Sequence, residues 1–165
     1  MLDCRKNDQN NPYMNEKLYN KVKKLNWRPN HVAEVGVYYP ESSNVLGFIE
    51  DGCLTDLVEA DPECVKQIRN RFEGYKNVRI HPFAVFDMPG EIELYRFKAS
   101  TFVRGLESSP ALMDNNYQPD PQHLFRVEAR LFSDFDDGTI DLISIDIEGS
   151  EWFVIKHMRS RPQVI

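Results

Sequence analysis

Apolar residues along this chain follow two periods, one typical of helices and one typical of strands. Leu18, Val22 and Leu25 recur at helical spacing, so we predict a helix from Asn15 up to the break at Arg28-Pro29-Asn30. Short apolar runs predict strands over 31–37, 54–59, 78–85, 91–97, 125–132 and 140–145, and 163–165 is predicted to begin another. Further helices are predicted over 41–50, 61–73 and 151–158.

Strands and helices alternate three times, which indicates an α/β fold. We expect a mainly parallel sheet with helices on both faces and right-handed crossovers. The last helix is expected to face inward through Trp152, Ile155 and Met158. Residues 98–121 have no period and are rich in Ser, Pro, Asn and Gln, as functional or disordered loops are. In such a sheet, ligands bind beyond the carboxyl ends of the strands.

Composition narrows the class of protein. With 165 residues, 41% of them apolar, the chain is expected to form one domain over 31–165, preceded by a tail and leading helix over 1–30. Its net charge of −6 argues against nucleic acid or an anionic membrane as partner. No apolar run approaches the ~20 residues that span a bilayer, and the N-terminus lacks a signal-peptide core, so a cytoplasmic location is expected.

The stretch from His31 to Ser43 is the predicted ligand cradle. A strand ends in Glu34 and Gly36, and a helix start follows at Pro40. Gly36 would let a ligand approach the backbone, and the helix start would offer free N–H groups. The chain has neither the GxGxxG pattern of dinucleotide sites nor the GxxxxGK[ST] pattern of phosphate loops. A cofactor with one nucleoside and no phosphate, such as S-adenosylmethionine, fits better.

Two acids near this cradle have candidate roles. Glu59 ends the second strand, 23 positions after Gly36, where a carboxylate is placed to accept hydrogen bonds from both hydroxyls of a ribose. The alternative is a solvated strand-end acid, or an N-cap that acts with Asp61. Glu34 would complement the positive charge of S-adenosylmethionine, or else pair with a nearby Lys or Arg.

A second constellation, Asp146-Ile147-Glu148-Gly149-Ser150-Glu151, leaves the sheet at the end of a buried strand. Asp146 and Glu148, two positions apart, could bind a cation or serve as a general base. Glu151 could instead stabilise the following helix from its first turn. In the long loop, Ser100-Thr101 is a candidate contact for an acceptor.

Four blocks of the sequence resemble one enzyme family. They are AEVGV, LVEADPECVKQIRNRF, NVRIHPFAVFDMPGEIELY and IDLISIDIEGSEWFVIKHM, in this order. The last block, with its D-x-E-G-x-E pattern, is the most specific, and the similarity to FkbM-type methyltransferases covers most of the chain from His31. The resemblance implies a Rossmann-like class I methyltransferase fold and methyl transfer from S-adenosylmethionine, typically to an oxygen.

The resemblance also implies which residues bind the cofactor. Glu34 and Gly36 would line its methionine part, and Glu59 would hold its ribose. Phe83-Ala84 would lie near the adenine. Asp146 would touch the cofactor from the end of the last parallel strand. No metal is expected.

Asp146 and Glu148 are implied to face the reacting end, where either acid would assist removal of a proton from the acceptor. The expected acceptor is a hydroxyl of a small molecule or glycan, and sugar, polyketide, lipid and peptide hydroxyls all fit. No nucleic acid or membrane partner is expected. The sequence specifies no oligomeric state.

Two departures from the family leave alternatives open. Pro40 stands where the family usually has a second glycine, and the chain ends before the family's last antiparallel strands. A non-catalytic domain that binds S-adenosylmethionine, or that serves assembly, is therefore an alternative. The acids Asp146, Glu148 and Glu151 also leave open a metal-dependent hydrolase.

Overall fold

The computed structural model describes residues 18–97, 100–106 and 120–165. Within these ranges the α-helices are α1 (Leu18–Lys24), α2 (Leu46–Glu50), α3 (Pro62–Arg71) and α4 (Glu151–His157). None of these helices is long and apolar enough to cross a membrane. The strands are β1 (His31–Val35), β2 (Leu54–Val58), β3 (Val78–His81), β4 (Ala84–Val85), β5 (Gly90–Phe97), β6 (Ser100–Val103), β7 (Leu124–Arg130) and β8 (Leu142–Ile145).

Parts of two predicted elements lie outside the described residues. They are residues 15–17, at the start of the predicted first helix, and residues 98–99 and 107–119 of the predicted loop.

Four strands form a parallel sheet in the order β3-β2-β1-β8. Because neighbouring residues of a strand point to opposite faces, Val32 packs with α1, α2 and α3, whereas Ala33 packs with α4. This confirms the predicted α/β arrangement, with helices on both faces of a parallel sheet. Val164 forms a parallel bridge with Leu142 at the start of the strand predicted for 163–165.

A second sheet, in the order β4-β7-β5-β6, differs from the prediction of one mainly parallel sheet. β5 pairs antiparallel with β6 and β7, and β4 pairs parallel with β7. The strand predicted over 78–85 divides around Pro82, which has no N–H to continue a ladder, so β3 and β4 enter different sheets. β6 falls in the predicted loop, because four residues show too few alternations to be recognised as a strand.

The segment after β1 is less helical than predicted. A 3₁₀ turn over Pro40–Ser42 and the five-residue α2 replace the helix expected over 41–50. The break lies at Ser43 and Asn44, whose hydroxyl and N–H donate to Glu34. By contrast, α3 begins as predicted, with Asp61 as the N-cap that accepts from the Glu63 N–H.

The inward face predicted for α4 is wrong at Trp152 and Ile155 and confirmed at Met158. Trp152 is 64% exposed and Ile155 is 45% exposed, whereas Val154 is fully buried. Phe153 packs against Phe86 with ring centroids 4.7 Å apart, and Met158 contacts the core below the first sheet. Two apolar stripes run along this short helix, and the turn that precedes the helix decides which one faces the core.

A buried polar cluster lies on the first sheet around Asp56. His31 Nε2 and His81 Nε2 each lie 2.7 Å from an oxygen of Asp56, and Arg79 donates to both oxygens at 2.7 and 2.6 Å. Burial alone would raise the pKa of Asp56, but these three partners outweigh it and hold the pKa well below its usual range. This cluster ties together the three strands β1, β2 and β3.

Candidate active site

A cavity of about 390 Å³ lies at the carboxyl ends of β1, β2 and β8. Its size falls within the usual range for small-molecule sites. Leu94 of β5 and all four residues of β6 form another of its walls. The cavity brings together all of the site residues that the sequence predicts: Glu34, Gly36, Glu59, Phe83, Ala84, Asp146 and Glu148.

The fold itself, apart from any ligand, requires a glycine at position 36. Its φ is +86°, and a Cβ at this position would lie 1.9 Å from the backbone oxygen of Asp146. The Asp146 N–H also donates to Val35 O at 2.9 Å, so the ends of β1 and β8 are in direct backbone contact. Gly36 still borders the cavity, but the space left by its missing side chain is filled by Asp146.

Glu34 is a buried acid that holds the segment after β1 in place. Its Oε2 accepts from Ser43 Oγ at 2.5 Å and its Oε1 accepts from the Asn44 N–H at 2.8 Å. Burial raises the pKa of Glu34 to about 7. The alternative of an ion pair with Lys or Arg is not found among the described residues. The N–H of Asn44, expected to be free for a ligand, is therefore bound by this carboxylate.

Glu59 is buried and held at both carboxylate oxygens. Oε2 accepts from the Tyr38 N–H and Oε1 accepts from the Asp61 N–H, each at 2.8 Å. Burial raises the pKa of Glu59, although both N–H groups oppose the shift. A carboxylate has about four lone-pair sites, so Glu59 keeps acceptor capacity beside the cavity. The N-cap role that we considered for Glu59 belongs to Asp61.

Asp146 and Glu148 lie where β8 leaves the sheet. Within the described part of the chain, no side chain donates a hydrogen bond to the exposed carboxylate of Asp146. Burial raises the pKa of Asp146, and the neighbouring Glu148 and Glu151 raise it further. Glu148 has a left-handed backbone, with φ +53°, and its Oε1 accepts from Ser100 Oγ at 2.7 Å. The second sheet therefore contacts the acidic turn directly.

Glu151 is engaged by the turn that precedes α4. Its Oε1 accepts from the Ile147 N–H at 3.2 Å and from the Gly149 N–H at 3.1 Å. These bonds support the alternative that Glu151 stabilises the start of the following helix. The described residues contain no group of three or more His, Cys, Asp or Glu side chains arranged to hold a metal ion. The described residues therefore offer no metal site in support of the alternative that the protein is a metal-dependent hydrolase.

Phe83 and Ala84 form an apolar part of the cavity. Phe83 is buried against Phe135, with ring centroids 5.7 Å apart, and the guanidinium of Arg130 lies 5.0 Å from the Phe83 ring centre. Such a surface suits a flat aromatic group. Contact with adenine stays a prediction, as do the roles of the other site residues.

Tyr38 and Ser150 are among the cavity residues that the sequence did not identify. Tyr38 has a left-handed backbone, with φ +59°, and this conformation directs its N–H to Glu59. Ser150 is buried, and within the described residues its Oγ has no hydrogen-bond partner. Neither position has a sequence signal, because both depend on how distant strand ends meet.

The structure is that of an α/β protein with a cavity at the carboxyl edge of a parallel sheet, where proteins of this class bind ligands. The family model of the methyltransferase FkbM domain matches residues 30–164, and the chain belongs to this family. This finding confirms the resemblance noted in the sequence. Comparison with curated proteins and with solved structures found no match.

Proposed function

We propose that this protein transfers the methyl group of S-adenosylmethionine to a hydroxyl oxygen of a small molecule or glycan. Membership of the FkbM methyltransferase family supports methyl transfer. The strand order β3-β2-β1-β8 supports the finer assignment to the Rossmann-like class I methyltransferase fold. The observation that carries the cofactor assignment is the Glu59 carboxylate, which is fixed by two backbone N–H groups at the edge of the cavity.

The residues of the cavity fit this cofactor. The two oxygens of the Glu59 carboxylate match a vicinal diol, and Phe83-Ala84 offers an apolar surface for a base. The orphaned hydroxyl of Ser150 would gain a partner from a bound ligand. Glu34 and Asp146 supply negative charge, which complements a ligand of net positive charge.

When bound, the cofactor would supply a methyl group on a positively charged sulfur. Glu59, through the diol, would fix the position of this group in the cavity. Asp146 would accept the proton of the acceptor hydroxyl, because its carboxylate receives no hydrogen bond from a described side chain. Glu148, which accepts from Ser100 of the second sheet, would assist from the turn after β8. Orientation of the two reactants would provide most of the rate acceleration.

Calorimetry tests the cofactor assignment. We expect the protein to bind S-adenosylmethionine and S-adenosylhomocysteine, and we expect Glu59→Ala to abolish binding. Glu63→Ala removes an exposed acid only four positions away and serves as the matched control, with unchanged binding expected. Folded wild-type protein that binds neither compound at ~1 mM, a weak-affinity limit, would refute the proposal.

Labelled methyl transfer tests catalysis. The acceptor panel contains sugar, polyketide, lipid and peptide hydroxyls, with S-adenosylmethionine labelled on the transferred methyl group. Product labelled on oxygen supports the proposed reaction. Cofactor binding without transfer to any member of the panel would instead favour the non-catalytic binding or assembly domain.

A further inference from the structure

Arg96 and Asp61 form a two-point ion pair between the second sheet and α3. Arg96 Nε donates to Asp61 Oδ2, and Arg96 Nη2 donates to Asp61 Oδ1, each at 2.6 Å. Asp61 is buried, and the guanidinium of Arg96 also lies 5.1 Å from the ring centre of Phe125. Paired, charge-assisted hydrogen bonds of this kind are strong and fix geometry as well as charge.

Asp61 connects this ion pair to Glu59. The Asp61 carboxylate caps α3 by accepting from the Glu63 N–H at 2.9 Å, while its own N–H donates to Glu59 Oε1 at 2.8 Å. Two buried carboxylates are therefore separated by one residue, and the charge of Asp61 raises the pKa of Glu59. The guanidinium of Arg96 offsets the charge of Asp61 at this point.

We propose that Arg96 is a positioning residue: through Asp61, it keeps the Glu59 carboxylate in the form and orientation that accept the ribose diol. The proposal rests on the proposed function, because it takes Glu59 as the cofactor's diol acceptor. If the guanidinium is removed, the charge of Asp61 is left uncompensated beside Glu59. Glu59 then takes up a proton more readily, and a protonated carboxyl loses acceptor capacity toward the diol.

The other titratable groups around Glu59 do not replace Arg96. Glu34 of β1 is a second buried acid, and its charge acts on Glu59 in the same direction as that of Asp61. Cys64 of α3 stays a neutral thiol at ordinary pH, because burial raises its pKa to about 12. Among the ion pairs of the described residues, the one that reaches Asp61 comes from Arg96 of β5.

The test is the pH dependence of S-adenosylhomocysteine binding, measured by calorimetry. For Arg96→Met we expect binding about tenfold weaker than wild type on the acid side, where Glu59 is protonated, with the difference closing as the pH rises and Glu59 ionises. Adding Asp61→Asn should restore the wild-type profile, because Asn still caps the helix but carries no charge. Arg104→Met breaks a surface ion pair with Glu93 in the same sheet and should leave the profile unchanged.

The outcomes separate this proposal from the proposed function. No binding by the wild type refutes the proposed function itself. Wild-type binding together with an Arg96→Met profile that superimposes on the wild-type one overturns the role of Arg96. If Arg96→Met does not fold by circular dichroism, the double variant decides: wild-type binding supports the proposal, and lost binding by the folded double variant overturns it.

Discussion

The backbone oxygen of Asp146 occupies the space in which a side chain at Gly36 would begin. The two residues directly follow neighbouring parallel strands, and both line the candidate cofactor cavity. The backbone at the floor of this cavity is therefore set by one contact between residues 110 positions apart in the chain.

Gly36→Ala should destabilise the protein strongly. The new Cβ would meet Asp146 O at 1.9 Å, and an alanine would be strained at φ +86°. Together we expect a loss of at least about 2 kcal/mol in the free energy of unfolding, measured with urea. Gly52→Ala is the matched control, because Gly52 has a similar φ of +80° but open space around it. Equal losses in the two variants would contradict the steric explanation.

Glu34→Gln should stabilise the protein at neutral and alkaline pH. The folded protein holds the Glu34 proton more tightly than the unfolded chain, since its pKa is raised from 4.5 to about 7. Ionisation of Glu34 therefore favours unfolding. The resulting loss of unfolding free energy grows as the pH rises from 4.5 to about 7. Relative to wild type, the variant should gain on the order of 3 kcal/mol in unfolding free energy between about pH 5 and pH 8. Glu41→Gln, at an exposed acid nearby, controls for the lost charge.

Asp56→Asn should be strongly destabilising near neutral pH. It removes the charge that His31, Arg79 and His81 share in the buried cluster, with an expected cost of about 3 kcal/mol. The folded pKa of Asp56 is depressed, so its contribution is present above the unfolded value of 3.8 and is lost as the pH falls below it. Urea unfolding at several pH values should show the gap to wild type narrowing in acid. A gap that stays constant into acid would contradict this origin.

Val154→Ala and Trp152→Ala test the face of α4 that packs on the core. Val154 is fully buried, and we expect its truncation to cost about 2 kcal/mol. Trp152 is largely exposed, so losing its much larger side chain should cost less than about 0.5 kcal/mol. Thermal or urea unfolding of the two variants shows whether α4 packs on the core through Val154, as in the structure, or through Trp152, as predicted from the sequence. A larger loss in Trp152→Ala would support the predicted face.

Asp146→Asn should lower methyl transfer by about 100-fold or more if Asp146 is the general base. A base must be ionised, and burial and the nearby Glu148 and Glu151 raise the pKa of Asp146. The rate of the wild type should therefore rise with pH through this raised pKa. In Glu148→Gln the rising limb should move to lower pH, because one neighbouring negative charge is gone. An unmoved limb would show that another group titrates.

The site could be located from the sequence because it depends on strand ends. Glu34, Glu59 and Asp146 each follow or end an apolar run, and the carboxyl ends of parallel strands meet at one edge. The start of α3 could also be predicted from the sequence, because Asp61-Pro62-Glu63 contains its own N-cap residue. Such features need only a few consecutive residues.

The remaining features depend on contacts between distant segments. Arg96 donates to Asp61, 35 positions away in the chain, and Ser100 donates to Glu148, 48 positions away. The face of α4 is ambiguous in its pattern, since Trp152 and Ile155 form as good an apolar stripe as Val154 and Met158. In each case contacts between distant segments stabilise one of several arrangements that the local sequence permits.

The two sheets contribute to the cavity in different ways. At the first sheet, Gly36 lies against the backbone of Asp146, and backbone N–H groups hold the carboxylate of Glu59. On the second sheet, the wall consists of the side chains of 100–103, carried by one short edge strand. Exchange at Thr101 and Val103 would reshape this wall while leaving those backbone contacts intact, whereas Ser100 binds Glu148 and Phe102 is buried. The shape of the cavity could therefore change without rebuilding the fold.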